Sequence, residues 1–301
     1  MSLKSTLNSL SYWLLPPGVK NTFLSAYSKQ VAFQDFRVER NIISRLCKNN
    51  SKFNNIHNGE RCFILATGPS IKTQNLLPLK NELCISVSQF YLHKDIQIIS
   101  PQYYVLAPTH PPFNFNDVVK IFDGLRKCYS DKATYFLGYS LYNYSYYRFL
   151  ETYSQYKNNN QCFINYSMSQ SLEESNYSNK AIWEIDQSPF GIRTVIYSAI
   201  QVALYMGCKE IYLIGCDHDY LNDTSRVTNH HFYKEEDGIS DAEHLRSFTT
   251  ERWFQEYYFR WKQYRLIREY AQQKGCNIFN ATEGGMLDVF PRVRLEDIVV
   301  Y

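Results

Sequence analysis

Five short polar clusters in this chain carry side chains able to hold an anion or move a proton, and each follows or closes an apolar run. They are Thr67-Gly68-Pro69-Ser70, Ser86-Val87-Ser88-Gln89, Pro108-Thr109-His110, Asp217-His218-Asp219 and Asn280-Ala281-Thr282-Glu283-Gly284-Gly285. Gly68 would let backbone approach a ligand, and amides around Ser70 at a helix start would face a phosphate. Gly-Pro also makes ordinary turns, and the stretch is neither a Walker loop nor a dinucleotide fingerprint. Asp217, just after Gly215-Cys216, is placed to orient a ribose hydroxyl, hold a metal or act as a base. His218, His230 and His231 share its polar excursion, where an imidazole can take a proton near neutral pH or simply be a surface loop residue. A metal set of Asp217, His218, Asp219 and His230 has no specific spacing. Thr282, Gly284 and Gly285 can seat a base or a phosphate, or make a glycine turn before residues 286–290.

Such clusters meet on one rim only if strands run parallel, because ligands then sit outside the carboxyl ends of the strands. Residues 61–66, 83–87, 103–107, 134–137, 210–215 and 277–280 read as short buried strands. Residues 194–206 have helical apolar spacing and end at Gly207; Trp253 to Tyr270 mark a second, long amphipathic helix. Helix, glycine turn and strand in that order predict one doubly wound, Rossmann-like and GT-A-like α/β sheet, mostly parallel. Residues 217–247 lose periodicity and read as a lid. The expected organisation is an N-terminal extension over 1–58, ending in a polar linker around Lys48 to Asn55, and a nucleotide-binding transferase domain over 59–301.

The 301 residues are 45% apolar, enough for one large core, and the formal charge of +3 is well mixed, which argues against a nucleic-acid partner. Eight cysteines without a Cys-x-x-Cys pair fit reduced, buried thiols in the cytoplasm. No apolar run reaches the roughly 20 residues of a bilayer span and no signal peptide is visible. The segment from Leu7 to Pro17, with Trp13, is apolar enough to rest on a membrane surface, on a partner, or on the protein itself. The expected location is therefore cytoplasmic, with the inner face of the cytoplasmic membrane left open. Tyrosines crowd the stretch from Tyr135 to Tyr156, where they suit sugar stacking or a half-buried surface.

Residues 64–72, Ser88-Gln89-Phe90-Tyr91, and Tyr197 to Asp217 with Gly207-Cys208-Lys209-Glu210-Ile211-Tyr212-Leu213-Ile214-Gly215 resemble the bacterial sialyltransferases of glycosyltransferase family 42. They also resemble the wider MptE-like superfamily, named after an archaeal 6-hydroxymethylpterin diphosphokinase and including motility accessory factors; Asn280-Ala281-Thr282 with Gly284-Gly285 looks more like that group. The resemblance spans about residues 61–291. It implies a CMP-activated nonulosonic acid donor (sialic acid-like or Kdo-like), inversion, a glycan or glycolipid acceptor of the capsule or lipopolysaccharide kind, and no metal or further cofactor. By position, Thr67, Gly68, Pro69 and Ser70 would meet the donor phosphate and ribose, Ser88 and Gln89 the nucleotide, and Thr194 the donor sugar. Gly215 and Asp217 would line the same crevice. His231, or its neighbour His230, would be the lid base, with Tyr233 or Tyr220 helping the phosphate leave. Thr67 and Ser88 stand where those sialyltransferases use asparagines, Ala107 occupies a third such position, and Asp217-His218-Asp219-Tyr220 differs from their Ile-Asp-Phe-Tyr. The MptE-like alternative is a diphosphokinase moving diphosphate from ATP with magnesium on Asp217 and Asp219. A third reading is a non-catalytic glycan-assembly protein that keeps the crevice. Homo-oligomerisation stays open.

Overall fold

The computed structural model describes residues 38–111, 113–129, 132–167, 170–222, 230–234 and 247–299. The apolar segment around Trp13 and most of the expected lid, 223–229 and 235–246, lie outside the described residues. The chain divides into units Met1–Arg45 and Leu46–Tyr301; the described residues of the first, 38–45, are helical. Among the described residues no helix is long and apolar enough to cross a membrane.

The second unit is built on one sheet of seven parallel strands: β1 (Arg61–Leu65), β2 (Cys84–Val87), β3 (Tyr103–Leu106), β4 (Thr134–Gly138), β5 (Gln161–Ile164), β6 (Glu210–Ile214) and β7 (Asn277–Asn280). Their order is β5-β4-β3-β2-β1-β6-β7. Helices flank the sheet, giving the doubly wound α/β fold that the sequence predicts. Strands covered on both faces must be apolar on both faces. Cys-Phe-Ile-Leu of β1 and Ile-Tyr-Leu-Ile of β6 are accordingly buried throughout. The winding reverses between β1 and β6, which pair from Arg61↔Glu210 to Leu65↔Ile214. That joint is the switch point where a ligand crevice opens in such sheets.

Four longer helices cover the sheet: α1 (Phe115–Cys128), α2 (Tyr146–Thr152), α3 (Val195–Tyr205) and α4 (Thr250–Gln273). The segment forming α3 is apolar nearly all round, which places it in the core rather than at the surface. It starts at Thr194, whose hydroxyl accepts from the Ile196 amide, and stops before Gly207 at φ +89°. Helix α4 buries Trp253, Tyr257, Tyr264, Ile267 and Tyr270 and exposes the opposite side.

Three expectations need correction. The polar stretch read as a linker is a packed turn, Asn49–Phe53. Asn50 is fully buried because its amide donates to the Phe163 carbonyl at 2.8 Å and the Ile185 carbonyl at 2.9 Å. Strand β5, Gln161–Ile164, is not among the strands read from the sequence. Many of the rings between Tyr135 and Tyr156 are core, with Tyr146 and Phe149 buried and Phe122 stacked on Phe149 at 4.9 Å. Within that stretch the stacked pair Tyr142 and Tyr144, 5.1 Å apart, remains toward solvent.

Candidate functional site

The β1 turn is held from two sides. Gly68 donates to the Gly215 carbonyl at 2.9 Å, so the ends of β1 and β6 stay paired past the sheet. Next to it, the Asp217 carboxylate accepts from the Ser70 amide at 3.1 Å and the Ser70 hydroxyl at 2.9 Å. A methyl group on Gly68 would sit 1.8 Å from Asp217 Oδ2. What comes close to Gly68 is therefore the protein's own carboxylate. Pro69–Lys72 is a single 3-10 turn whose N-cap is Gly68, so no side chain caps it, and the Ser70 hydroxyl within it donates to Asp217.

Asp217 is the point where three strand ends meet. Its carbonyl accepts from the Met286 amide at 2.8 Å, and Gly285, at φ +70°, lies so near that a Cβ there would be 2.6 Å from the Asp217 carbonyl oxygen. Thr282, half of the site expected after β7, has its hydroxyl accepting from the Cys216 amide at 3.0 Å and is buried. Arg292 gathers the loop around it, donating to the carbonyls of Thr282, Gly284, Gly285 and Leu287. Gly284 and Gly285, at φ +71° and +70°, form a glycine turn before Met286. Arg292 has no local sequence signal; its partners become visible only once the turn is folded.

Burial pushes the Asp217 carboxyl up from 3.8 to about 6, opposed by its two bonds from Ser70 and aided by the nearby charge of Asp219. An acid whose folded pKa is raised is harder to ionise in the fold. The cost is absent below about pH 4, grows as pH rises, and is complete above about pH 6. The ionisation cost of this one group should reach roughly 3 kcal/mol over that window. Denaturant unfolding at pH 4.0 to 7.5 should show wild type losing stability relative to Asp217→Asn as pH rises; a flat difference would contradict it.

The described part of the lid rests on the neighbouring strand ends. The Phe232 amide donates to the Thr67 carbonyl at 3.0 Å, and His231 Nδ1 lies 3.2 Å from Thr67 Oγ1. His231 stacks on Tyr233 with ring centroids 4.9 Å apart and 5° between planes. Tyr233 Oη in turn accepts from Gln89 Nε2 at 3.0 Å, and Phe232 packs edge-on to Phe90 and His93. Thr67, Gln89, His231 and Tyr233 thus form one continuous set across the ends of β1 and β2. Ser88 lies between them and the sheet at φ +51°, a backbone region where glycine and asparagine sit most easily.

The other histidines have different partners. His230 Nδ1 is 3.5 Å from Asp219 Oδ1, and its ring lies 4.6 Å from Tyr220. The bond from His230 holds the Asp219 carboxyl below its usual range. His218, at φ +48°, meets Tyr264 Oη at 2.7 Å, and burial with the nearby Arg260 charge drives its imidazole down to about 3. It is a neutral, half-buried histidine. Thr194 caps α3, and Thr109 is buried against Ser140 at 2.6 Å. Ala107 is half-buried at the end of β3, and His110 is exposed.

No family model matches this chain, and no curated protein matches it. Solved structures similar to it include the sialyltransferase CstII from Campylobacter jejuni with the substrate analogue CMP-3FNeuAc, 13% identical, TM-score 0.45, covering 80% of this chain and 89% of that one. CstII with a trisaccharide acceptor and CMP is 14% identical, TM-score 0.43, covering 78% and 86%. An α-2,3-sialyltransferase from Campylobacter jejuni without ligand is 15% identical, TM-score 0.40, covering 78% and 80%.

Proposed function

We propose that this protein is an inverting glycosyltransferase that moves a nonulosonic acid-type sugar, sialic acid-like or Kdo-like, from a CMP-activated donor to a glycan or lipid-linked acceptor in surface polysaccharide synthesis. The observation that carries the reading is His231, delivered by the segment after β6 onto Thr67 at the switch point of the sheet. With its proton on Nδ1 facing Thr67 Oγ1, the imidazole has its lone pair on Nε2, the form a general base needs. Nε2 takes the acceptor hydroxyl proton as that oxygen bonds to the anomeric carbon. The bond from the anomeric carbon to phosphate oxygen breaks, and CMP leaves with the electron pair. Tyr233, positioned by Gln89, assists the leaving phosphate. His230 is paired with Asp219 and does not have this role.

In this account Asp217 is a positioning residue that fixes the β1 turn through Ser70, Gly68 and Gly285 supply room for it, and Thr67, Ser88 and Gln89 face the nucleotide. No metal takes part. A diphosphokinase would need Asp217 and Asp219 for magnesium, and both carboxylates are already engaged, by Ser70 and His230. On this proposal the reaction runs at the cytoplasmic face of the membrane, where a lipid-linked acceptor is presented.

Thermal unfolding with CMP, CDP or ATP, each with and without magnesium, tests the donor class. CMP at 100 times its Kd should stabilise the protein by about 2.7 kcal/mol without metal. Stabilisation only by ATP with magnesium would overturn the proposal.

A further inference from the structure

The loop that follows β4 presents aromatic rings to solvent on the same rim as the crevice. All seven strands are parallel, so the turn after β1, the Ser88-Gln89 end of β2, the Thr109 end of β3 and the loop over residues 139–145 leave one edge of the sheet. That loop is anchored at both ends. Gly138 lets the exit of β3 come close, since a Cβ there would be 2.4 Å from the Pro108 nitrogen. Ser140 is buried against Thr109, their hydroxyls 2.6 Å apart. At the other end the buried Ser145 hydroxyl accepts from the Arg148 amide at 3.3 Å and caps α2. Its own amide donates to the Tyr142 carbonyl at 3.0 Å.

Between these anchors Leu141 is 48% and Tyr142 40% exposed, and Asn143 is exposed between the two tyrosines. The rings of Tyr142 and Tyr144 lie 5.1 Å apart with 5° between planes, a parallel stack. A turn pinned on both sides holds an aromatic face in place before any ligand arrives, which lowers the entropy lost on binding. Its chemistry narrows the occupant. Residues 133–147 carry no charged side chain. A patch made for a membrane surface would carry Lys or Arg beside its rings. One made for a protein would bury roughly 800 Å² on each partner, and two partly covered rings with one leucine offer far less. An uncharged ligand with an apolar face and a polar edge fits: a pyranose lays its C–H face on an aromatic ring and turns its hydroxyls toward groups such as Asn143.

We propose that the Tyr142 and Tyr144 stack is a sugar-binding platform for a neutral stretch of an oligosaccharide acceptor. The role of that occupant as acceptor rests on the glycosyltransferase reading. Strand β4 stands three places from β1 in the sheet, about 14 Å at the usual strand spacing, so a single sugar cannot touch both the platform and Thr67. The acceptor is accordingly a chain of several sugars, with its receiving end at His231 and an inner unit on the platform.

Binding to an array of immobilised neutral mono-, di- and tetrasaccharides tests this, with calorimetric titration of CMP on the same proteins. Wild type should retain tetrasaccharides, Tyr142→Ala should bind them at least tenfold more weakly, and Tyr142→Phe, which keeps the ring face, should stay within threefold. CMP affinity should agree within twofold among the three proteins. The platform is overturned if wild type binds no tetrasaccharide, if Tyr142→Ala binds as wild type does, or if Tyr142→Phe loses as much as Tyr142→Ala. Association with anionic phospholipid vesicles through Tyr142, in place of glycans, would also overturn it. Failure of the nucleotide reading shows separately, as wild type that binds tetrasaccharides through Tyr142 but does not bind CMP.

Discussion

His231→Ala should lower kcat by about 10²- to 10⁴-fold and leave nucleotide affinity within about twofold, the range expected when a general base is lost. In the proposed account nucleotide contacts come from the ends of β1 and β2, and the Phe232 amide bonds to the Thr67 carbonyl through backbone alone. The proton transfer has no substitute, because the neighbouring imidazole of His230 is drawn toward Asp219 and Tyr220. His230→Ala should therefore cost far less. Steady-state kcat and KM for both variants check the assignment. A larger loss in His230→Ala would reverse the two roles, and full activity in both would remove the lid base altogether.

Gly68→Ala is expected to be strongly damaging to both stability and binding. Its Cβ would stand 1.8 Å from Asp217 Oδ2, 2.6 Å from Asp217 Cγ and 2.5 Å from the Gly215 carbonyl oxygen. The last obstacle is backbone of the adjoining strand end, so turning Asp217 aside does not relieve it. Overpacking of this kind costs about 1–3 kcal/mol or more. Because the same turn carries Thr67 and Ser70, nucleotide affinity should fall at least tenfold along with stability. Denaturant unfolding and calorimetric titration of the variant measure both. Wild-type stability together with wild-type affinity would mean that the turn is not as rigid as its bonds imply.

The parts of this fold that were legible in the sequence are those whose pattern is dictated locally. Strands β1 and β6 are unbroken apolar runs because both faces are covered. Helix α3 shows its cap at Thr194 and its stop at Gly207. Strand β5 was missed because it is a four-residue edge strand beside an asparagine run, with too few residues to show a period. The capping box of α1, Asn114 with Asp117, was there to be read.

At the site, parallel winding makes the five strand-end clusters predictable in place. Their partners are not predictable, since Ser70 and Asp217 are 147 residues apart and Thr67 and His231 are 164 apart. Which donor meets which acceptor is decided by the order of the strands in the sheet. This is why Ser70 holds the Asp217 carboxylate and Gly68 bonds to the Gly215 carbonyl, partners that no local pattern announces. Thr67 gained meaning in the same way. It departs from the asparagine of the sialyltransferases that the chain resembles, and its hydroxyl is the partner of the lid histidine.

The central claim is metal-free transfer from a CMP-sugar with His231 as base. The most direct test is the rate at which the full chain releases CMP from CMP-N-acetylneuraminate or CMP-Kdo in the presence of EDTA, with a glycan acceptor. The account predicts acceptor-dependent CMP release that His231→Ala reduces by at least 100-fold. No release from either donor, combined with magnesium-dependent turnover of ATP, would contradict it.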